Sequence, residues 1–276
     1  MSTSQTRLEV RQLRVSYPTH GGLLRRSAAV HAVERLSLTV TTGRTLGLVG
    51  ESGCGKSTLA RTIVGLRRPT GGEIWYAGER VDTADAARRR RLTAEIQMVY
   101  QDPYSSLNPR KKVSFIVTEG WRVHRGSVPR DQWPARTADL LARVGLAAEL
   151  ADRYPHQLSG GQRQRVGIAR ALAMSPRILV CDEPVSALDV SVQAQTLNLL
   201  ADLRADLGLG YLFIAHDLSV VRHISDDLAV MYLGRIVETG PAATAGKMDL
   251  YLALLDTHCD AIVAKVHDAM RGTNDN

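Results

Sequence analysis

An α/β fold is the class this sequence predicts, with a parallel-sheet core, antiparallel strands ahead of it and a helical block inserted within it. Three observations predict it. Short apolar runs at 45–49, 177–181 and 213–215 each lead into a glycine-rich, acidic or histidine-bearing string, as buried parallel strands do when they deliver functional groups to their C-terminal edge. Residues 8–17 and 30–40 instead alternate apolar and polar, the second through Val33, Leu36, Leu38 and Val40, which is the pattern of half-buried antiparallel strands. From 113 to 174 the apolar period turns helical.

Taken in order, residues 8–17 read as an edge strand, 21–27 as a Gly/Arg-rich loop and 30–40 as a second strand. Thr45-Leu46-Gly47-Leu48-Val49 is a short buried strand that runs into a glycine-rich loop, and 57–66 is the helix that follows. Pro69-Thr70-Gly71-Gly72 predicts a turn, 73–76 a strand, and 96–99 a strand ending at Gln101. Arg88-Arg89-Arg90-Arg91 follows Asp82 and Asp85 in a helix-like stretch and reads as a solvated face. The helical block breaks at Pro129, at Pro134 and at Tyr154-Pro155-His156, and Ser159 is placed to cap a helix running through Ala173. Strand and helix alternation resumes from Arg177 to Gly240 and closes with a hairpin around Leu233-Gly234-Arg235. There is no internal repeat and no sustained heptad.

Composition narrows the class. A chain of 276 residues with 44% hydrophobic content buries a core as one domain. No apolar run reaches the roughly 18 to 20 residues of a membrane span, and the first residues lack a signal-peptide pattern, so the expected place is the cytosol or a membrane reached through partners. Cys54, Cys181 and Cys259 have no metal-ligand spacing. The formal charge of +7 admits either nucleic acid or an anionic membrane surface as a neighbour. The basic runs carry no interleaved aromatics and no nucleic-acid motif, which disfavours the first.

The chemistry is concentrated in a few strings. Gly50-Glu51-Ser52-Gly53-Cys54-Gly55-Lys56-Ser57 fits the phosphate-loop pattern: glycines let backbone N–H groups turn inward, Lys56 brings a point charge to the β- and γ-phosphates, and Ser57 reaches Mg²⁺. With Thr58, this loop is the candidate nucleotide cradle, on a helix N-terminus suited to anions. That pattern alone leaves kinases, GTPases and helicases open. The run Arg177 to Glu183 ends in two carboxylates, of which Asp182 suits the Mg²⁺ shell and Glu183 suits proton acceptance from an attacking water. Leu158-Ser159-Gly160-Gly161-Gln162 adds a hydroxyl and permissive backbone at a second helix N-terminus, and Ser186-Ala187-Leu188-Asp189 and Phe213-Ile214-Ala215-His216-Asp217 complete the series.

These strings, in this order, resemble the ATP-binding cassette family from about residue 8 to residue 240. Within it, the segments from Gly47 to Ser57, from Gln101 to Arg110 and from Cys181 to Ser191 are similar to the ATPase subunits of oligopeptide, dipeptide and nickel importers. The resemblance implies a P-loop NTPase (RecA-like) core over 1–101 and 177–240, a helical signature subdomain over 102–176, and a tail over 241–276, together one ATPase domain over 1–276. It implies ATP and Mg²⁺ as cofactors, with Glu183, His216, Gln101 and Lys56 catalytic, Ser57, Gln101 and Asp182 at the metal, and Tyr17 stacked on adenine. It further implies that Ser159, Gly160, Gly161 and Gln162 close over ATP bound to a second chain, with Asp189 at the interface between the two.

The partners so implied are a second, paralogous cassette, two multi-span membrane permeases and, indirectly, an extracytoplasmic solute-binding protein, with the chain peripheral on the cytoplasmic face of the membrane. Tyr104 and Leu107 are expected to form the socket for a permease helix. The tail departs from the relatives, because only Cys259 follows Cys181 and no cysteine-rich cluster can be built. Peptide import is the expected function. Nickel, a metallophore or another small solute is the alternative cargo, and a nucleic-acid-directed ATPase or a catalytically silent cassette is disfavoured.

Overall fold

The computed structural model describes residues 6–18 and 29–244. The loop at 21–27, the tail beyond 244 and Cys259 lie outside the described residues. The chain runs through β1 (Arg7–Pro18), β2 (Ala29–Thr41), β3 (Thr45–Val49), α1 (Lys56–Ile63), β4 (Gly71–Tyr76), β5 (Glu79–Arg80), α2 (Ala86–Glu95) and β6 (Ile96–Val99). A helical stretch follows, with α3 (Pro103–Ser106), α4 (Val113–Val117), α5 (Glu119–Val123), α6 (Trp133–Arg143) and α7 (Gly160–Leu172). It closes with β7 (Ile178–Asp182), α8 (Val190–Leu207), β8 (Gly210–Ile214), α9 (Leu218–Ile224), β9 (Asp227–Tyr232) and β10 (Arg235–Pro241).

Two sheets form. One is antiparallel in the order β2-β1-β4-β5; the other runs β10-β9-β3-β8-β7-β6, parallel except for the β10 hairpin partner. The period of two along the buried strands divides the interior. Leu212, Ile214, Ile178 and Val180 face one core with Leu59, Ile63, Leu8, Val10 and Val33, so α1 lies between the two sheets. Tyr211, Phe213, Leu179 and Cys181 face the other core with Ile116, Trp121, Ile168, Leu200 and Val221. Because the central strands are parallel, the ends of β3, β6, β7 and β8 meet at one edge, with Val99 beside Cys181 and Asp182 beside Ile214.

Several expectations need correction. The first strand is not an edge: β1 hydrogen-bonds to β2 on one side and to β4 on the other, with Leu8 opposite both Val40 and Tyr76. Alternation reports which face is buried and is silent about which edges are paired. Helix α1 stops at Ile63, short of Leu66, because Gly65 takes φ +79° and its amide and that of Leu66 turn back to the carbonyls of Thr62 and Arg61. Pro134 does not break a helix but stands in the first turn of α6, where its missing N–H costs nothing. The four-arginine run does lie on α2, which buries only Leu92, so its solvated-face reading holds.

Candidate active site

The loop between β3 and α1 is held from both sides. Gly55 takes φ +109°, and a Cβ there would meet the Ala32 carbonyl oxygen at 2.0 Å, while the Cys54 carbonyl accepts the Gly234 amide at 3.0 Å from the β9–β10 turn. The Lys56 ammonium is buried and donates to the carbonyls of Gly50 and Glu51, both at 2.7 Å. The Cys54 amide donates to the Glu51 carbonyl at 3.3 Å, and its thiol is buried 3.9 Å from Lys56 Nζ.

A cavity of about 320 Å³ opens over this loop, lined by Ser52, Gly53, Gly55, Lys56, Ser57, Thr58, Gln101, Glu183 and His216, with Ala32. Residues far apart in sequence are thus brought to one mouth. Gln101 Nε2 donates to Glu183 Oε2 at 2.8 Å, and His216 Nδ1 lies 3.6 Å from the same oxygen. Glu183 takes φ +48°, a left-handed conformation in a residue with a side chain. Its amide continues the sheet by donating to the Ile214 carbonyl at 2.9 Å.

Behind the cavity, the Ser57 hydroxyl donates to Asp182 Oδ1 at 3.1 Å. Asp182 is 3% exposed, and burial pushes its carboxyl up; the Ser57 hydrogen bond opposes this and the Glu183 charge adds to it. Among the described residues no group of three His, Cys, Asp or Glu can hold a metal. A hydroxyl, one buried carboxylate and an amide at the same cavity are the hard oxygen donors that suit Mg²⁺ when a substrate's phosphates complete its shell.

The residues expected to face a second chain do not line this cavity. Its lining includes neither the 159–162 string nor Asp189. Ser159 caps α7: its hydroxyl accepts the Gln162 amide at 3.2 Å, and the Gln162 side chain accepts the Ser159 amide at 3.0 Å. Gly160 and Gly161 form the first turn, and a Cβ on Gly161 would meet Val192 of α8 at 2.5 Å. Asp189 caps α8 through the Val192 amide at 2.9 Å. Tyr17 stands beside the cavity, its hydroxyl 3.2 Å from that of Thr58. The expected socket pair separates: Tyr104 is 67% exposed, but Leu107 is 1% exposed and belongs to the core, so it cannot receive a partner. Sequence reasoning missed Ala32, whose contribution is a backbone contact, and Arg67, whose guanidinium lies over the Tyr17 ring.

Comparisons with known proteins place the chain in a family. The family model described as ABC transporter matches residues 33–186. The chain is 46% identical over 267 residues, 96% of its length and 79% of the relative's, to the oligopeptide transport ATP-binding protein AppF of Bacillus subtilis. It is 52% identical over 235 residues to the glutathione import ATP-binding protein GsiA of Escherichia coli, a match that spans 85% of this chain but only 38% of that relative. Among solved structures, the ATP-binding cassette MJ0796, in a dimeric post-hydrolysis state bound to ADP and Pi, superposes with a TM-score of 0.75 at 26% identity, over 85% of this chain and 98% of that one. CbiO1 of Clostridium perfringens, part of the transporter complex cbiONQ, superposes with a TM-score of 0.73 at 26% identity over 94% of this chain and 98% of that one.

Proposed function

The chain belongs to the ABC transporter family, and from that premise we propose that it is the ATP-hydrolysing subunit of a peptide importer, the cargo class of the relatives AppF and GsiA. The observation that carries the catalytic reading is the meeting of Gln101, Glu183 and His216 over the phosphate loop. Lys56 neutralises the β- and γ-phosphates once it exchanges its two loop carbonyls for them. Glu183 accepts a proton as water attacks the γ-phosphorus and the bond to the bridging oxygen of ADP breaks; Gln101 and His216 orient its carboxylate and the water. Ser57, Asp182 and Gln101 would hold Mg²⁺, which would supply charge neutralisation on the phosphates.

We take Ser159 to Gln162 to act on ATP held by a second cassette, since the string sits outside the cavity of its own chain. Asp189 lies at the interface on this reading, and Val190 beside it is an apolar side chain 84% exposed. No helix among the described residues is long and apolar enough to cross a membrane. On the importer reading, separate membrane subunits form the path, with this chain peripheral on their cytoplasmic face, and the paralogous second cassette and the solute-binding protein complete the proposed assembly. The domain division at 101, 176 and 240 belongs to the same reading.

The test is reconstitution with the two permeases and the second cassette. Peptide-loaded binding protein should raise ATP turnover well above that of dilute, monomeric subunit. Equal turnover in the two preparations would overturn the shared-site reading, and stimulation by a nickel-loaded but not a peptide-loaded binding protein would overturn the cargo.

A further inference from the structure

Beside the phosphate loop, Tyr17 is paired with Arg67, a residue that belongs to none of the motifs. The Arg67 guanidinium lies 3.5 Å from the centroid of the Tyr17 ring, while the Tyr17 hydroxyl is 3.2 Å from that of Thr58 in the first turn of α1. Both residues are partly buried. The backbone delivers Arg67 there and holds it. Past the left-handed Gly65, the amides of Leu66 and Arg67 both return to the Arg61 carbonyl, at 2.9 and 3.2 Å. Beyond Pro69, the Thr70 amide donates to the Arg14 carbonyl at 2.8 Å, which ties the loop to β1, the strand that carries Tyr17.

We propose that Arg67 is a positioning residue for the nucleotide base: it stacks on one face of Tyr17 and fixes the ring so that the other face receives the purine. The inference rests on the reading of Tyr17 as the base-stacking residue. A tyrosine near the end of a strand has two free side-chain torsions, and ordering it on binding subtracts from affinity; a ring already clamped between a guanidinium and the Thr58 hydroxyl avoids that loss. The planar, delocalised guanidinium is suited to stacking in a way that an ammonium is not.

The test measures binding of Mg-ATP and of Mg-tripolyphosphate, which lacks a base, to the full chain and to Arg67→Ala, Arg67→Lys and Tyr17→Ala. Arg67→Ala should weaken ATP binding about two- to five-fold, the worth of a partly exposed cation–π contact, and leave tripolyphosphate unchanged. Arg67→Lys should recover only part of the loss. Tyr17→Ala should lose about five-fold or more for ATP alone, as removal of a base-stacking ring does. Equal weakening of both ligands by Arg67→Ala would mean a merely structural role and overturn the proposal, as would tighter or unchanged ATP binding. If Tyr17→Ala discriminates but Arg67→Ala does not, the inference falls and the Tyr17 reading stands. If Tyr17→Ala fails to discriminate, both fall.

Discussion

Glu183 combines two features that bear on its chemistry. Its backbone sits at φ +48°, a conformation that costs a side-chain-bearing residue about 1–3 kcal/mol and that persists only where its surroundings enforce it. The enforcement is visible: the sheet takes its amide and Gln101 takes its carboxylate, so the side chain is aimed over the phosphate loop before any substrate arrives. Glu183→Gln keeps the shape and an acceptor oxygen for Gln101 but removes the proton acceptor. ATP binding should survive, hydrolysis should fall by about 10²- to 10⁴-fold, and the ATP-bound dimer should persist; a single-turnover assay with sedimentation checks both. Near-normal turnover in the assembled transporter would remove Glu183 from the base role. The carboxylate pair and its place at a strand end were readable from an apolar run that stops at Asp182. The unusual backbone of Glu183 was not, since a left-handed φ at a non-glycine residue leaves no mark in residue type.

At the scale of elements, local chemistry transmitted well from sequence to structure and contacts across the chain did not. Ser159 is the helix cap in both, because a cap is made within four residues, and the structure adds the return bond from Gln162. The placement of β1 between β2 and β4, the burial of Leu107 and the reach of Arg67 to Tyr17 depend on partners many residues away, which periodicity cannot specify. The helix after His216 shows how a cap serves the site. Asp217 Oδ1 accepts the Ser219 hydroxyl at 2.6 Å and its amide at 2.8 Å, fixing α9 directly behind the histidine. The Ser219 hydroxyl, foremost, holds the Asp217 carboxyl below its ordinary range. A depressed carboxyl stabilises the fold above its unfolded pKa, near 3.9, and that contribution disappears as pH falls through the lower folded value. Asp217→Ala should therefore cost about 1 kcal/mol in urea unfolding at pH 7, with the gap to the parent narrowing toward pH 3. A gap independent of pH would show that the charged cap is not what Asp217 contributes.

Across the whole molecule, charge and connectivity single out the helical block. Residues 102–176 carry twelve Lys and Arg against six Asp and Glu, so most of the net +7 resides there, and any attraction to an anionic membrane surface acts on this block first. The segment that enters it begins at Gln101, which holds Glu183, and is fastened to α7 at two points: the Arg163 guanidinium lies 3.8 Å from the Tyr104 ring centroid, and Arg170 donates to the Ser106 carbonyl at 2.7 Å. One short stretch thus touches the Glu183 carboxylate at one end and the helix bearing Ser159 to Gln162 at the other. A shift of that stretch would be felt at both, which is what a motor linking ATP closure to a membrane partner requires. Leu107 cannot test this, since a charge there would break the core and unfold the block. Tyr104 can, because it is exposed and its ring is the cover on a buried arginine. Tyr104→Ala should leave Mg-ATP affinity and the melting temperature of the isolated chain close to those of the parent. In the assembled transporter it should lower peptide uptake and the stimulation of ATPase by loaded binding protein together, by about tenfold if the ring is a central contact worth roughly 1–2 kcal/mol. Full uptake in a complex of confirmed composition would show that the stretch after Gln101 does not carry the coupling, while loss of ATP binding itself would show that Tyr104 supports the cradle instead.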